Sequence, residues 1–365
     1  MTPSRRQFAS DNNAGVFPEV LEAMARYGAG HVTGYGNDEV TAQARRAVAG
    51  VFGCDCAVYF TGNGTAANCL GLAAVLQPYE AVIAHEFSHL ETDECNALGR
   101  FIPGARIVTV PGEHGKFRPE ALGDALKGLR PVHSSRAGAV SITNATELGT
   151  TYSPSEVGQL AAAAHEANLV LHVDGARLAN AIAHHGCPPA DLTWKAGVDL
   201  LSFGGTKAGL AFGEAVVFFR PELARDFEYR LKQGGQLFSK MRFIAAQWLG
   251  FLESNRWLDR SAHANAMASR LREQLAGLPG VEILFPTEAN AVFARLPPFL
   301  VEALYQRGWH FYTDVGPGNG ARLMCAWDTT PEDVDRFLAD VAGSLSPELY
   351  AHLCDPPGLP GKGTL

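Results

Sequence analysis

Short apolar runs alternate with helical patterns through roughly the first 220 residues of the chain. Seven runs are predicted to be strands, and most are uninterrupted, as expected for strands covered on both faces: Ala57–Thr61, Ala81–Ala84, Arg106–Val110, Ala139–Thr143, Leu169–Asp174, Val198–Phe203 and Ala215–Phe219. Helical patterns lie between them at Thr65–Leu76, Pro119–Leu126 and Pro154–Asn168, and Ser153-Pro-Ser-Glu marks the start of the last one as a capping box. This alternation predicts an α/β fold with a mostly parallel sheet and helices on both faces.

The pattern changes after Phe219, where helices and short strands no longer alternate regularly. Helices are predicted at Pro221–Asn255, Ala262–Leu278 and Pro331–Ala342. Four short strands are predicted between the last two helices: Val281–Phe285, Asn290–Leu296, Trp309–Thr313 and Arg322–Trp327. The chain is therefore expected to form a large domain at 1–250 and a smaller α+β domain at 251–345, with the boundary within Gln247–Asp259. Residues 346–365 are rich in Pro and Gly and are predicted to be a frayed tail.

The amino-acid composition argues against some classes of function. The chain has 365 residues, of which 47% are hydrophobic and 19% charged, and its net charge is -8. An acidic balance argues against broad binding to nucleic acids or anionic membranes, since both need a basic surface. The seven cysteines are scattered, which suits a reducing compartment. Because neither a signal peptide nor an apolar run of about 20 residues is found, we expect a soluble, cytoplasmic protein.

A turn rich in glycine and small polar residues follows the first predicted strand. Thr61-Gly-Asn-Gly-Thr-Ala-Ala-Asn stands between that strand and a helix, where backbone N–H groups and the helix dipole favour an anion. The glycines allow a phosphate to approach the backbone closely, and the Thr65 hydroxyl offers a further donor. The segment lacks the Lys of a P-loop, and turns of this composition are also common as purely structural connections.

Two chemically useful side chains follow other predicted strands. Asp174 ends an apolar strand and faces the crevice in which open α/β sheets bind ligands, although Arg177 offers it a purely structural ion pair. Lys207 lies among glycines in Ser202-Phe-Gly-Gly-Thr-Lys, where desolvation would lower the lysine pKa and free its amine for a Schiff base. Together with the glycine-rich turn, these residues suit one cofactor that has a phosphate, a pyridine nitrogen and an aldehyde. That cofactor is pyridoxal 5'-phosphate.

With these residues in place, the chain resembles the threonine aldolases, including the low-specificity L-threonine and phenylserine aldolases. The resemblance extends from Phe8 to about Gly343. It rests on six stretches: Ser10-Asp-Asn, Tyr35-Gly-Asn-Asp, Gly62-Asn-Gly-Thr-Ala-Ala-Asn, Asp174-Gly-Ala-Arg, Ser202-Phe-Gly-Gly-Thr-Lys and Arg322-Leu-Met. It implies the aspartate-aminotransferase-like (fold type I) architecture of pyridoxal-phosphate enzymes, with a three-layer α/β/α large domain and a smaller C-terminal α+β domain.

The resemblance implies a role for each matching residue. Lys207 would carry the cofactor as an internal aldimine, Asp174 would pair with the ring nitrogen, and Arg177 would lie near the phenolic oxygen. Further cofactor contacts are implied for Asn63, Gly64, Thr65 and Thr206.

Other matching positions concern the substrate and the neighbouring subunit. Ser10 and Arg322 would hold the substrate carboxylate. Tyr35 and Lys232 would reach into the neighbouring subunit's site, which implies a homodimer or homotetramer.

His85-Glu-Phe-Ser-His matches the zinc-protease pattern H-E-x-x-H, which requires both histidines on one helix face. The segment directly follows a predicted strand, so its start is not expected to be helical, and positions 92 and 95 lack the Gly and His of the metzincin continuation. A zinc hydrolase using His85, Glu86 and His89 therefore stays a distant alternative, and no metal is expected. By the resemblance, His89 stacks on the pyridine ring and takes part in proton transfer.

The identity of the catalytic base is left open. Some threonine aldolases have a second active-site histidine after the strand that ends near Thr143, and this chain has Asn144-Ala-Thr-Glu there, with Thr146 assigned to that place. His89 itself, or a water held by His89 and Thr146, are the two candidates.

The implied reaction is reversible cleavage of an L-β-hydroxy-α-amino acid, such as L-threonine, L-allo-threonine or phenylserine, to glycine and an aldehyde. The nearer alternatives are β-elimination or racemisation on the same cofactor, because one scaffold hosts many chemistries.

Overall fold

The computed structural model describes residues 7–253 and 255–345, and the larger of its two sheets has seven strands in the order β1-β7-β6-β5-β4-β2-β3. The strands are β1 (Ala57–Thr61), β2 (Glu80–His85), β3 (Arg106–Val110), β4 (Arg136–Thr143), β5 (Val170–Gly175), β6 (Leu200–Phe203) and β7 (Glu214–Phe218). Strand β7 runs antiparallel to the other six strands of this sheet, which are parallel to one another. All seven predicted strands are confirmed, with small shifts at their ends.

Helices surround and connect these strands. They are α1 (Pro18–Gly28), α2 (Glu39–Phe52), α3 (Gly64–Val75), α4 (His89–Thr92), α5 (Ala97–Phe101), α6 (Pro119–Gly128), α7 (Pro154–Glu166), α8 (Leu178–His185), α9 (Phe227–Gln233) and α10 (Arg242–Glu253). The predicted capping box starts α7, where Ser153 and Glu156 satisfy each other's backbone N–H groups.

The sheet is buried on both faces because successive side chains point in opposite directions. On β6, Leu200 packs with residues of α3 and α9, whereas Leu201 and Phe203 pack with residues of α2, α7 and α10. Uninterrupted apolar strands are therefore required here. The result is the expected three-layer α/β/α arrangement.

The parallel strands bring five sequence segments to one edge of the sheet. In the register of the sheet, Thr143 lies beside Asp174 and Asp174 lies beside Ser202. The segments that follow β1, β2, β4, β5 and β6 therefore meet at the carboxyl edge, where open α/β sheets form their ligand sites. The residues predicted to contact the cofactor of their own chain all lie at, or after, strand ends on this edge.

The C-terminal part forms a second, four-stranded antiparallel sheet in the order β10-β11-β9-β8. Its elements are α11 (Trp257–Leu275), β8 (Glu282–Ile283), β9 (Ala291–Arg295), α12 (Pro298–Gln306), β10 (Tyr312–Val315), β11 (Gly320–Met324) and α13 (Pro331–Ser344). The N-terminal segment is attached to it, because the Phe8 N–H donates to His310 and the Phe8 carbonyl accepts from the Met324 N–H.

Three sequence predictions for this half of the chain are wrong in detail. The helix predicted at Pro221–Asn255 is a short 3-10 turn followed by two helices, α9 and α10, separated by 234–241. Gly235 lies in that gap with φ +70°, which right-handed helix does not allow. Strand β10 is shifted from Trp309–Thr313, and β11 ends at Met324 rather than Trp327.

The proposed domain limits stay a prediction, and the proposed tail at 346–365 lies outside the described residues. Within 7–253 and 255–345, none of the helices combines the length and apolar character that crossing a bilayer requires.

Candidate active site

Lys207 lies on the loop after β6, in a position fixed by tight backbone packing. A Cβ at Gly204 would come within 2.5 Å of the Ala176 carbonyl oxygen, so only glycine lets this loop pack against the segment after β5. The Arg177 guanidinium and burial lower the pKa of Lys207. A lowered lysine pKa increases the fraction of neutral amine, which is the nucleophilic form.

Glu214 connects this loop to the glycine-rich turn after β1. Its carboxylate accepts the Gly205 N–H, and in the sheet register Glu214 lies beside Thr61. The predicted anion-binding turn and Lys207 are therefore neighbours, although more than 140 residues separate them in the sequence.

The turn begins helix α3. Asn63 is its N-cap, with the side-chain oxygen accepting the Ala66 N–H at 2.8 Å, and helix residues begin at Gly64. The first N–H groups of a helix have no partner inside the helix, so those of Gly64 and Thr65 are free to bind an anion. A Cβ built at Gly64 would meet no atom within 4 Å, which shows open space at this helix end.

Asp174 ends β5 and is held by two donors. Its carboxylate accepts the Ala176 N–H at 3.0 Å and the Asn68 side-chain amide at 2.8 Å. The same Asn68 amide donates to Glu94 at 2.9 Å, and Glu94 accepts from His89 Nδ1 at 2.8 Å. This network fixes the orientation of both Asp174 and the His89 ring.

The hydrogen bond to Glu94 is the main reason why the pKa of His89 is raised, and the charge of Asp174 adds to it. The candidate ligand atoms of His89, Glu94 and Asp174 lie within 4.8 Å of one another. The Asn68 amide and the His89 ring account for this proximity through hydrogen bonds, without requiring a metal ion.

Arg177 pairs with Asp11, and the expected structural alternative of an Arg177–Asp174 ion pair is wrong. Its Nε and Nη2 donate to the two Asp11 oxygens at 2.6 and 2.9 Å. Although burial opposes ionisation, Arg177 lowers the pKa of Asp11 to about 2. The bidentate pair holds the guanidinium beside Lys207 and at the wall of the cleft.

A cleft of about 530 Å³ opens beside Lys207. Among the sequence-predicted residues, its lining includes Ser10, His89, Arg177, Lys207 and Arg322. The Arg322 Nη2 donates to the Ala9 carbonyl at 3.1 Å, whereas its Nε is buried without a partner among the described residues. A buried unpartnered guanidinium N–H suits an anionic group entering the cleft.

Glu147 also lines this cleft, and the sequence reasoning missed it. Its Oε1 accepts the Thr143 hydroxyl at 2.8 Å and the His89 backbone N–H at 2.7 Å. Burial and the nearby charge of Asp174 raise the pKa of Glu147 to about 7. The signal in the sequence is its position four residues after Thr143, the last residue of β4.

Two expected site residues face elsewhere. Thr146 does not line the cleft, because its hydroxyl bonds to the Thr150 hydroxyl at 2.8 Å inside its own loop. Of Thr146 and its neighbour Glu147, it is Glu147 that lines the cleft together with His89. The role assigned to Thr146 stays a prediction. The Thr206 hydroxyl accepts the Gly213 N–H at 3.1 Å and bonds to Glu214, so in this chain it supports the Lys207 loop.

Tyr35 and Lys232 lie together but outside this cleft. The Lys232 Nζ is 4.6 Å from the centre of the Tyr35 ring, and both residues are exposed. Neither lines the cleft around Lys207 of its own chain.

The zinc-protease pattern is not on one helix. His85 ends β2, and its two ring nitrogens bond to the Gly112 carbonyl at 3.2 Å and the Phe87 N–H at 3.1 Å. His89 starts α4, and Glu86 is exposed. The two histidines therefore lack the shared helical face that the zinc motif requires.

Comparison with known proteins adds the family to this geometry. The family model described as beta-eliminating lyase matches residues 7–297. The low specificity L-threonine aldolase of Pseudomonas sp. strain NCIMB 10558 is 47% identical over 346 residues, which cover 95% of this chain and 100% of that relative. This chain belongs to the threonine aldolases of the beta-eliminating lyase family. Another such relative, from Pseudomonas aeruginosa, is 49% identical over 341 residues, covering 93% of this chain and 98% of its own.

The fold agrees with that of a solved threonine aldolase. The Leishmania major enzyme superposes with a TM-score of 0.88 at 30% identity, covering 93% of this chain and 99% of that chain. The fold-type expectation and the threonine aldolase resemblance are both confirmed. Around the cleft, four residues make contacts that the sequence pattern did not predict: Asp11, Asn68, Glu94 and Glu147.

Proposed function

We propose that the protein is a pyridoxal 5'-phosphate-dependent aldolase that cleaves L-threonine and related L-β-hydroxy-α-amino acids to glycine and an aldehyde. The observation that carries the proposal is the meeting of Lys207, Asp174 and the start of α3 at one sheet edge beside the cleft. The family supplies the reaction class, since this fold alone does not select among reactions.

The residues present fit the cofactor. Open space at Gly64 and the start of α3 suit its phosphate, with Asn63 and Thr65 beside it. Asp174 would hold the ring nitrogen, His89 the ring face, and Arg177 the phenolic oxygen. When bound, pyridoxal phosphate supplies an aldehyde for the Lys207 amine and a ring that draws electrons from the substrate Cα.

The remaining work falls to side chains of this chain. Arg322 binds the substrate carboxylate, with Ser10 close by at the cleft wall. Holding that group fixes the direction of the Cα–Cβ bond and favours its cleavage over loss of another substituent. Asn68 and Glu94 keep Asp174 and His89 in place. The Asp11–Arg177 pair prevents the guanidinium from binding the substrate carboxylate in place of Arg322.

The direct test is an assay of the purified protein, supplied with pyridoxal phosphate, on L-threonine, L-allo-threonine and phenylserine. We expect equal amounts of glycine and the matching aldehyde. Formation of a keto acid without glycine would show β-elimination instead, and would contradict the aldolase proposal.

Arg322→Lys is expected to raise KM for L-threonine about 10- to 100-fold, with a smaller effect on kcat, because lysine keeps the charge but loses the second N–H contact. Steady-state kinetics measure this. Arg295→Lys, on the neighbouring strand and paired with Glu282 at the surface, is the matched control and is expected to behave as wild type. An unchanged KM in Arg322→Lys would remove this residue from substrate binding.

We also propose that the active unit is a homo-oligomer in which Tyr35 and Lys232 complete the cleft of a neighbouring subunit. Their exposed contact, outside the cleft of their own chain, supports this arrangement. Lys207→Ala and Lys232→Ala subunits should each have little activity alone, and should partly recover it when unfolded and refolded together. No recovery in mixtures shown to contain both chains would contradict shared sites.

A further inference from the structure

Glu147 occupies a part of the cleft in which no other residue has been given a chemical role. It follows β4, and its side chain shares the cleft with Lys207, His89 and Arg322. We propose that Glu147 is the catalytic base that accepts the proton of the substrate β-hydroxyl group. This inference rests on the aldolase function proposed above and names the base for that same cleft.

The carboxyl group is fixed by one oxygen and free at the other. Thr143 and the His89 backbone N–H both donate to Oε1. Oε2 is buried and has no partner among residues 7–253 and 255–345. An unpaired buried carboxylate oxygen is costly unless a ligand donates to it, and a hydroxyl group is such a donor.

Burial, together with the surrounding charges, sets the pKa of this carboxyl group. Asp174 on β5 opposes its ionisation, Arg177 after β5 lies close enough to interact with it, and Tyr152 is a further titratable neighbour. Burial is the largest effect and raises the pKa of Glu147 to about 7. A base with a pKa near the working pH is the most effective one for proton transfer.

The other candidates are less suited to this step. His89 Nδ1 is bonded to Glu94, so this nitrogen is not available to the substrate, and the same hydrogen bond raises the pKa of the ring. The Thr146 hydroxyl bonds to the Thr150 hydroxyl and lies 3.4 Å from the His114 carbonyl oxygen, and Thr146 does not line the cleft. Glu147 lies in the same cleft as His89, and its Oε2 is an acceptor without a partner among the described residues.

The proposed step balances without another reactant. The hydroxyl proton moves to Glu147 Oε2, the O–H bonding pair becomes the second C–O bond of the aldehyde, and the Cα–Cβ bond breaks with its electron pair remaining on Cα. One proton is then added at Cα to give glycine, so the proton taken by Glu147 is the one that the overall reaction returns.

Glu147→Gln keeps the size of the side chain and both hydrogen bonds to its carbonyl oxygen, but it cannot accept the proton. We expect kcat for L-threonine cleavage to fall about 10²- to 10⁴-fold. The dissociation constant for glycine, which has no hydroxyl group, should stay close to the wild-type value. It is measured from the absorbance of the bound cofactor. If wild type itself releases no glycine, the proposed function fails. If wild type is active and Glu147→Gln has nearly the same kcat, the proposed function stands and only the role of Glu147 as the base is contradicted.

A second measurement does not depend on turnover. Infrared difference spectra of wild type minus Glu147→Gln, recorded without substrate, should show a carboxyl group that titrates near pH 7. Thr143→Val removes a donor that favours the ionised form, so this titration and the rising limb of the kcat/KM profile should both move to higher pH. Absence of such a titrating band, or a pH profile that Thr143→Val leaves unchanged, would overturn the assignment.

Discussion

Lys207→Ala is expected to lower kcat for glycine release from L-threonine by about 10⁴-fold or more, at the upper limit of what one proton-transfer or nucleophilic group contributes. The reason is its position on the loop after β6, close enough to Asp174 for their charges to interact. There the Arg177 guanidinium and burial lower the pKa of the Lys207 amine. Kinetics with saturating pyridoxal phosphate measure the loss.

Lys195→Ala is the matched control, because Lys195 is an exposed lysine paired with Asp191 on the far side of β6 from the cleft loop. It should retain wild-type activity. Lys207→Arg keeps a positive charge but cannot bind an aldehyde in the same way, so it should be as inactive as Lys207→Ala. Substantial activity in Lys207→Arg would mean that charge, rather than the amine, is what position 207 supplies.

Asp174→Asn is expected to reduce kcat by about 10²- to 10³-fold, the usual cost of removing one preorganised electrostatic partner of the reacting group. Asparagine fills the same space and can still accept the Ala176 N–H, so the fold should be maintained. The substitution removes the negative charge that we propose pairs with the cofactor ring nitrogen, so the cofactor should also dissociate more readily on dialysis. Kinetics and residual cofactor content are the two measurements.

Asp191→Asn is the same substitution at a partly exposed residue outside the cleft, and it serves as the control. Equal activity of Asp174→Asn and Asp191→Asn would remove Asp174 from the chemistry and leave it only a structural role. If Asp174→Asn retains its cofactor normally but has a low kcat, Asp174 acts in the reaction and not in cofactor binding.

The seven-stranded sheet, and the carboxyl edge at which the predicted site residues meet, were predictable from the sequence. Strands covered on both faces give long apolar runs, and parallel strands must end at a common edge. Asp174 ends one such run and Lys207 lies on the loop after the next, and this position alone predicts that their side chains lie close together.

Contacts between distant segments were not predictable in the same way. Asp11 pairs with Arg177 across 166 residues, and Glu147 gains its environment from β4, β5 and α4 together. The sequence offered Asp174, only three residues away, as an alternative structural partner for Arg177, and it gave no indication of Asp11. Tertiary packing decides which residue pairs with a buried charge. The pattern of hydrophobic residues along the chain does not show that pairing.

The helical half of the chain shows a different limit. Apolar periodicity continues on both sides of Gly234-Gly235, so the pattern predicted one helix where the structure has α9 and α10. Helix α12 is absent from the sequence prediction. It follows Pro297 and has Pro298 as its first residue, and a pair of prolines is as typical of a loop as of a helix start.

The central claim is that the side-chain nitrogen of Lys207 carries pyridoxal phosphate in the resting protein. Reduction of the purified protein with borohydride, followed by digestion and mass spectrometry, tests it most directly. We expect one pyridoxyl-phosphate adduct, on the peptide that contains Lys207. An unmodified Lys207, or an adduct located on another lysine, would contradict the account.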